Sequence, residues 1–399
     1  MKDKRLTCFE AACIVAGNGI GGGLMALPFL ANRAGWPGTL AVLICAWAVT
    51  VVLHLMVSDM LLAAKNGSGI LSLFNEFLFK GRLKSALTAA FFILLSATLF
   101  FNLSAYISGG ADIITGLFGF SPAASKLITY ALAAAVPVFG LKILGISEKA
   151  TVIMMFAAAA GLAAVSFARG GNALTVMPEG AGSLLALYGL AMFSFSALFS
   201  VPQAVDGLGR DAAAVGKAVA LGVGMNLAMS LIICFASLYA SREVTEVAIV
   251  GWSAALGLPV KIAGSLLILF AMLTSFWAIS LALSDMACEQ FKIGKMKWLA
   301  FLCSTAPCLL LSLFSGATFT SFVGVAGGAV AVIIALLLLP AYWNACGRSR
   351  GHGHGHGRGS GRGSGRGSWR GSWRGRAPLV IAIGFFYMLM AAGAVLAAF

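Results

Sequence analysis

A run of glycines is the first place where this sequence could do chemistry. Residues 16–28 read AGNGIGGGLMALP, with five glycines in the seven positions from Gly17 to Gly23. Each glycine costs about 1 kcal/mol of helix propensity relative to alanine, so this density predicts a break in a helix. Backbone N–H and C=O groups that are freed at a break can face a ligand. The alternative is close packing of two helices, which a spaced pair of glycines explains better than a contiguous run.

A second candidate break lies in residues 189–202, which read GLAMFSFSALFSVP. Pro202 removes one helix hydrogen bond, and the three serines offer polar replacements. Serines inside helices also bond back to their own turn, so this pattern by itself leaves both interpretations open.

Both segments lie in long apolar runs. The 399 residues are 60% hydrophobic and 10% charged, with a mean hydropathy of +0.97, whereas about a quarter of the residues in soluble proteins are charged. Soluble enzyme classes are therefore excluded. Because a membrane helix takes about 20 apolar residues, we predict an all-α polytopic membrane protein. Its eleven predicted transmembrane helices cover residues 7–30, 38–63, 85–107, 124–140, 150–168, 183–205, 218–240, 262–285, 298–314, 320–343 and 377–399.

Positive charge predicts the orientation of these spans. With the N-terminus in the cytoplasm, 22 of the 27 lysines and arginines fall in inner loops and 5 in outer loops, as expected because these residues are retained inside. An odd number of spans then puts Phe399 outside. The net charge of +14 is a topology signal, so no nucleic-acid partner is expected; the partners are the lipid bilayer and a small-molecule substrate.

The two candidate breaks fall in spans one and six. This five-span separation favours a true break at the second segment, because a duplicated and inverted unit of five spans would place a break there. We expect transmembrane repeat A at 1–168 (helices 1–5), repeat B at 182–344 (helices 6–10), a disordered Gly/Arg/His/Ser-rich cytoplasmic loop at 347–376 and an appended helix at 377–399.

Four stretches resemble a known family. AGNGIGGGLMALP in span one is similar to the first span of the amino acid/polyamine/organocation superfamily, and more closely to the bacterial tryptophan/tyrosine permeases, which are hydroxy and aromatic amino acid permeases. AYISGG (105–110), SVP (200–202) and TSF with SLALSD (274–285) resemble later spans of the same group. Leu198 departs from the pattern, because the family has a histidine there. His54, five residues before Asp59, is the one histidine in a predicted span and either packs as a neutral residue or relays protons.

The resemblance implies a LeuT-like five-plus-five inverted fold and a secondary active transporter. Its cargo would be an aromatic or hydroxylated amino acid, imported across a bacterial cytoplasmic (inner) membrane without a cofactor. The substrate carboxylate would meet N–H groups of the glycine run, and the ammonium would meet carbonyls at the two breaks. The residues expected at the substrate are Ala16, Asn18, Gly21, Gly22, Gly23, Tyr106, Phe193, Ser194, Phe195 and Phe199.

Two coupling ions are compatible with these features. The aromatic permease resemblance implies a proton, whereas residues of spans one and eight resemble the sodium site of the neurotransmitter-sodium symporters. Sodium needs about five or six oxygen ligands. The expected ligands are the carbonyls of Gly17, Ile20 and Ala271 and the hydroxyls of Thr274 and Ser275.

The rival interpretation is a metal-ion transporter of the same fold, suggested by GHGHGH in the cytoplasmic loop. It predicts metal ligands at the breaks, but residues 17–23 and 193–202 contain no Asp, Glu, His, Cys or Met. A membrane enzyme would need a constellation such as paired carboxylates at depth. None is visible in the sequence, so we expect no enzymatic activity. The sequence leaves the particular amino acid and the oligomeric state open.

Overall fold

The computed structural model describes residues 5–64, 69–245, 248–292, 297–351 and 377–397, and within these ranges the chain is helical, without a strand. Short 3-10 turns at Gly22–Met25, Pro137–Phe139 and Leu198–Ser200 and a π-helical turn at Ile334–Leu338 separate some of the helices. The α-helices are α1 (Cys8–Gly19), α2 (Leu27–Ala34), α3 (Trp36–Ala63), α4 (Ile70–Phe77), α5 (Lys84–Phe118), α6 (Pro122–Ala134), α7 (Leu141–Arg169), α8 (Ala181–Phe195), α9 (Val201–Gly207), α10 (Ala212–Ala240), α11 (Ala248–Leu256), α12 (Leu258–Phe291), α13 (Lys297–Phe314), α14 (Phe319–Ile333), α15 (Leu339–Gly351) and α16 (Ala377–Ala397).

The chain is a multi-pass membrane protein. Among the described residues, seven helical segments are long and apolar enough to cross a bilayer, and a bent pair, α1 with Gly23–Ala34, makes an eighth. Each predicted apolar run coincides with a helix or a helix pair, the last three with α13, α14–α15 and α16. The short helices α4 and α11 were not predicted. Helix α15 runs to Gly351, and the rest of the predicted loop, 352–376, lies outside the described residues.

Span one consists of two helices joined by an unwound segment. Thr7 begins α1 through a capping box, in which the Thr7 hydroxyl accepts from the Glu10 N–H and the Glu10 carboxylate accepts from the Thr7 N–H. Helix α1 ends at Gly19, one 3-10 turn follows, and the second half leaves at 61° to the first. The helix therefore breaks within the glycine run.

Span six is also interrupted. Helix α8 ends at Phe195, and a 3-10 turn at Leu198–Ser200 leads into α9. Pro202 lies in the first turn of α9, where its missing N–H costs no intrahelical bond and its fixed φ suits a helix start. The proline therefore begins the second half-helix and does not kink a continuous one.

The broken spans and α12 form the centre of the molecule. Of the most apolar stretch of each segment, 78% is buried in α12 and 72% in Ala181–Gly207, but only 22% in Pro122–Phe139. Helix α12 packs against α1, α5 and α7. The residues that leave the regular helical pattern are thus surrounded by protein, which is where unwound backbone is tolerated inside a membrane.

The last helix packs on the first half of span six. A side-chain carbon at Gly393 of α16 would lie 3.0 Å from the α-carbon of Gly189 in α8. The rings of Tyr188 and Phe386 extend this contact, with centroids 6.3 Å apart. Small residues on both helices therefore allow the two backbones to approach closely.

Candidate substrate and cation site

The carbonyl groups at the end of α1 all find partners, in two different ways. The last carbonyls of a helix have no donor within it. The carbonyl of Ala16 accepts from the N–H of Ile20, and that of Gly19 accepts from the N–H of Gly21, both at 2.8 Å. The carbonyls of Gly17 and Asn18 instead face hydroxyl groups of α12. The unwound segment is therefore tied to a different helix through two oxygens.

Two adjacent hydroxyl groups of α12 make this tie. Thr274 Oγ1 lies 3.1 Å from the Gly17 carbonyl and 3.0 Å from that of Ala271, one turn back in its own helix. Ser275 Oγ lies 3.1 Å from the Gly17 carbonyl and 3.0 Å from that of Asn18. Hydrogen-bond contacts therefore link four of the five predicted sodium ligands, Thr274 with Gly17 and Ala271, and Ser275 with Gly17. The fifth, Ile20, follows the last residue of α1, and its N–H donates to the carbonyl of Ala16.

The glycines of span one allow close approach by neighbouring helices. A side-chain carbon at Gly21 would lie 3.0 Å from Ser275 Oγ and 3.1 Å from the Tyr106 hydroxyl, and one at Gly23 would overlap the Ser194 hydroxyl. At Gly19 it would overlap the amide of Asn226 in α10. The glycine backbone of the run therefore lies against polar side chains from four helices, α5, α8, α10 and α12.

A cavity lies between the two breaks. Seven of the ten predicted substrate residues line it, whereas Ala16 and Phe195 lie in the buried core outside the lining. The burial of Gly22 lies outside the described features. Sequence reasoning missed Gly19, Asn102, Ser196, Ile279 and Val330 as lining residues. The complete lining is Asn18, Gly19, Gly21, Gly23, Asn102, Tyr106, Phe193, Ser194, Ser196, Phe199, Ile279 and Val330.

Several polar atoms around this cavity lack a partner among the described residues. These atoms are Asn18 Nδ2, Asn102 Oδ1 and Ser194 Oγ, all in buried side chains. Buried polar atoms are normally hydrogen-bonded, so these three atoms are available to bond a polar ligand in the cavity. Asn102 is four residues before Tyr106 and therefore lies on the same face of α5. That spacing was the signal in the sequence that could have found it.

Glu148 is the functional candidate that the sequence reading overlooked. The apolar run of span five starts at residue 150, but α7 already begins at Leu141, so Glu148 lies inside the helix. Its side chain is fully buried, and neither carboxyl oxygen has a hydrogen-bond partner among the described residues. A side-chain carbon at Gly17 would overlap Oε2 of Glu148 and lie 3.0 Å from Cβ of Thr274. The carboxyl group therefore lies beside the oxygen cluster of α1 and α12.

His54 holds the break in span six. Its Nδ1 lies 2.7 Å from the carbonyl of Thr50, and its Nε2 lies 2.9 Å from the backbone N of Ala197. Because a carbonyl only accepts, Nδ1 carries the proton, and Nε2 accepts from the N–H of Ala197. The imidazole is fully buried and, with one proton, neutral. This geometry agrees with the packed neutral interpretation of His54.

Within the described residues, no group of three or more His, Cys, Asp or Glu side chains is placed to hold a metal ion. Glu148 therefore lies beside neutral oxygens and not within a cluster of carboxylates or imidazoles. The histidines of the GHGHGH stretch lie outside the described residues.

A polytopic helical protein in which two unwound spans face one buried cavity has the architecture of secondary transporters, and solved structures share this fold. A nucleobase-cation-symport-1 family transporter, MHP1, in a closed conformation with bromovinylhydantoin bound, matches with a TM-score of 0.65 and 14% identity over 99% of this chain and 91% of that one. A manganese transporter from Eremococcus coleocola matches with a TM-score of 0.60 and 11% identity over 98% of this chain and 85% of that one.

Sequence comparison gives the family. The profile of the tryptophan/tyrosine permease family matches residues 4–355, so this chain belongs to that family and is a transporter, not an enzyme. No curated protein matches the chain significantly in sequence.

Proposed function

We propose that this protein is a symporter that imports an aromatic amino acid, tryptophan or tyrosine, by alternating access. The observation that carries the proposal is the cavity, in which polar backbone and amide groups of the two breaks stand beside the rings of Tyr106, Phe193 and Phe199. An aromatic amino acid has the same division, with a zwitterion at one end and a flat apolar ring at the other. Membership in the permease family supports the same class of substrate.

The substrate carboxylate binds at the start of the 3-10 turn Gly22–Met25. The first N–H groups of a helical turn have no partner within it and carry partial positive charge. Gly21 precedes this turn, and a side-chain carbon at Gly21 would lie 3.1 Å from the Tyr106 hydroxyl. The substrate ammonium faces the end of α8 near Ser194, where carbonyl groups carry partial negative charge. The carbonyl of Ala16 is not needed, because it already accepts from Ile20.

The two breaks belong to two inverted repeats, which are the predicted spans one to five and six to ten, and α16 is appended to them. Movement of one set of helices against the other opens the cavity alternately to the two sides of the cytoplasmic membrane. The N-terminus is cytoplasmic and Phe399 is external, as the charge of the loops favours. A reporter fused after Phe399 is expected to be active only outside the cytoplasm; a cytoplasmic reading would contradict this orientation.

Sodium is the coupling ion in this proposal. Carbonyl and hydroxyl oxygens are hard ligands that suit it, and the contacts of Gly17, Ala271, Thr274 and Ser275 support a shared site. Double substitution of Thr274 and Ser275 by alanine should abolish sodium-driven uptake. Uptake driven by a pH gradient without sodium, and unaffected by the double substitution, would leave the proton as the coupling ion.

The substrate is tested with purified protein. All twenty amino acids are screened for binding, and those that bind are then offered to proteoliposomes with a sodium gradient or a pH gradient imposed separately. We expect tryptophan and tyrosine to bind most tightly and to be concentrated inside. Binding of none of the twenty, or transport of a divalent metal ion instead, would overturn the proposed function.

A further inference from the structure

We propose that the carboxylate of Glu148 supplies the negative charge of a sodium site shared by α1, α7 and α12. This inference rests on the proposed function and deepens it, because it names the group that makes a cation bind among otherwise neutral oxygens. Glu148 lies beside Gly17 and Thr274, at the point where α7 crosses the end of α1.

A carboxylate in this position needs a counter-charge. The side chain of Glu148 is fully buried, and both of its oxygens are unpaired among the described residues. An ionised carboxylate without a partner costs several kcal/mol or more in such surroundings. Either a proton on the carboxyl group or a cation bound next to it removes this cost, and the hard oxygen ligands beside Glu148 favour the cation.

The nearby lysines of α7 are used elsewhere. Lys142 Nζ lies 2.7 Å from Glu10 Oε2, and Lys149 Nζ lies 3.8 Å from Glu10 Oε1. Glu10 is also buried, with 5% of its side chain exposed, but it has two lysine partners and the N–H of Thr7. The two carboxylates at the α1–α7 interface thus differ in one respect: the protein compensates the charge of Glu10 and leaves that of Glu148 to another cation.

The neighbours of Glu148 select the kind of cation. The Gly17 carbonyl and the Thr274 hydroxyl are hard oxygen ligands, and the end of α1 adds the partial negative charge of a helix C-terminus. One carboxylate is neutralised by one monovalent cation, whereas a divalent ion would leave an excess positive charge buried. Sodium, which accepts carboxylate, carbonyl and hydroxyl oxygens together, fits this set.

The test measures sodium binding directly and without amino acid. Equilibrium binding of radioactive sodium to the purified full-length protein is compared in wild type, Glu148→Gln and Glu179→Gln, with choline as the inert cation. Glu179 is the matched control, because its carboxylate pairs with Arg33 and is 56% exposed. We expect Glu148→Gln to raise the sodium Kd by about tenfold or more, since the main Coulomb attraction is removed, and Glu179→Gln to leave it unchanged.

A second variant covers the case in which Glu148→Gln does not fold. Gly17→Ala keeps the carboxylate but places a methyl group between Glu148 and Thr274, and it should weaken sodium binding as well. Sodium binding of wild-type strength in Glu148→Gln or Gly17→Ala, or no sodium binding by the wild-type protein, would overturn the proposal. If sodium binds as expected but no amino acid does, the proposed function fails while the cation site stands.

Discussion

The break in span one presents carbonyl oxygens, whereas the break in span six is held through a backbone N–H. At the first break, the carbonyls of Gly17 and Asn18 face hydroxyl groups of α12, with the carboxyl group of Glu148 alongside. At the second break, the N–H of Ala197 is donated to the neutral imidazole of His54. Both breaks open onto the same cavity.

The two interruptions therefore offer different chemical groups to a ligand. A concentration of acceptor oxygens and one carboxylate attracts a cation, so we expect the first break to combine substrate and ion binding. A donor that is already satisfied by a neutral ring attracts no ion, so we expect the second break to act on substrate binding alone. Substitutions at the first break should change sodium and substrate binding together, and those at the second should change substrate binding only.

The largest effect is expected at the glycine run. Gly21→Val and Gly23→Val should each abolish uptake, a loss of about a hundredfold or more, because only glycine permits the close approach of backbone and neighbouring groups. The added carbons would collide with Ser275 and Tyr106 or with Ser194. Uptake in proteoliposomes and the amount of membrane-inserted protein are measured in parallel.

Gly161→Val in α7 is the matched control, since a side-chain carbon there meets nothing within 4 Å. It should transport as the wild type does. Wild-type transport by Gly21→Val and Gly23→Val would show that the glycine run serves only helix packing. The proposed difference between the breaks of spans one and six would then lose its support.

The next effect is expected at the second break. His54→Leu leaves the N–H of Ala197 without a partner, which costs about 1–3 kcal/mol. Substrate binding should weaken about tenfold, because 1.4 kcal/mol corresponds to a factor of ten, while the sodium Kd stays unchanged. Isothermal titration with substrate and with sodium separates the two. Partial recovery in His54→Gln, which retains an acceptor, would support the positioning role; an equal loss of sodium binding would show that the two breaks are not distinct.

A smaller effect is expected at Asn102. Its unpaired Oδ1 can accept from a substrate donor such as the indole N–H or the phenol O–H. Asn102→Leu should therefore lower the affinity for tryptophan or tyrosine about fivefold, the value of one ordinary hydrogen bond. Phenylalanine, which lacks such a donor, is the internal control, and its binding should be unchanged or tighter. Equal losses for all three amino acids would argue against a direct contact.

The smallest effect is expected at the N-terminal end of α1. Lys142→Met removes one partner of Glu10 but leaves Lys149 and the N–H of Thr7 in place. The stability loss should be about 1 kcal/mol or less, as for partly exposed ion pairs, and a thermal unfolding scan measures it. Sodium binding should stay within twofold of wild type. A large loss of sodium affinity would move the cation site from Glu148 toward Glu10.

The sequence was sufficient to predict both breaks, the first because glycine density acts on the backbone locally and the second because its local pattern lies five spans after the first. Glu148 was not found, because span boundaries were taken from apolar residues alone, and α7 continues through the polar stretch between Leu141 and the apolar run. The partner of His54 was also out of reach, since Ala197 lies 143 residues away along the chain. Such contacts depend on tertiary packing and not on residue type.

Because α16 packs closely on α8, the proposed transport cycle can be followed from the outer surface of the protein. With Gly393 seated against Gly189 and the ring of Phe386 beside Tyr188, we expect the two helices to move together. Phe385, the neighbour of Phe386, is 61% exposed on the outer surface of α16. A spectroscopic probe attached at this position would follow the first half of span six from the lipid side, without disturbing the buried cavity.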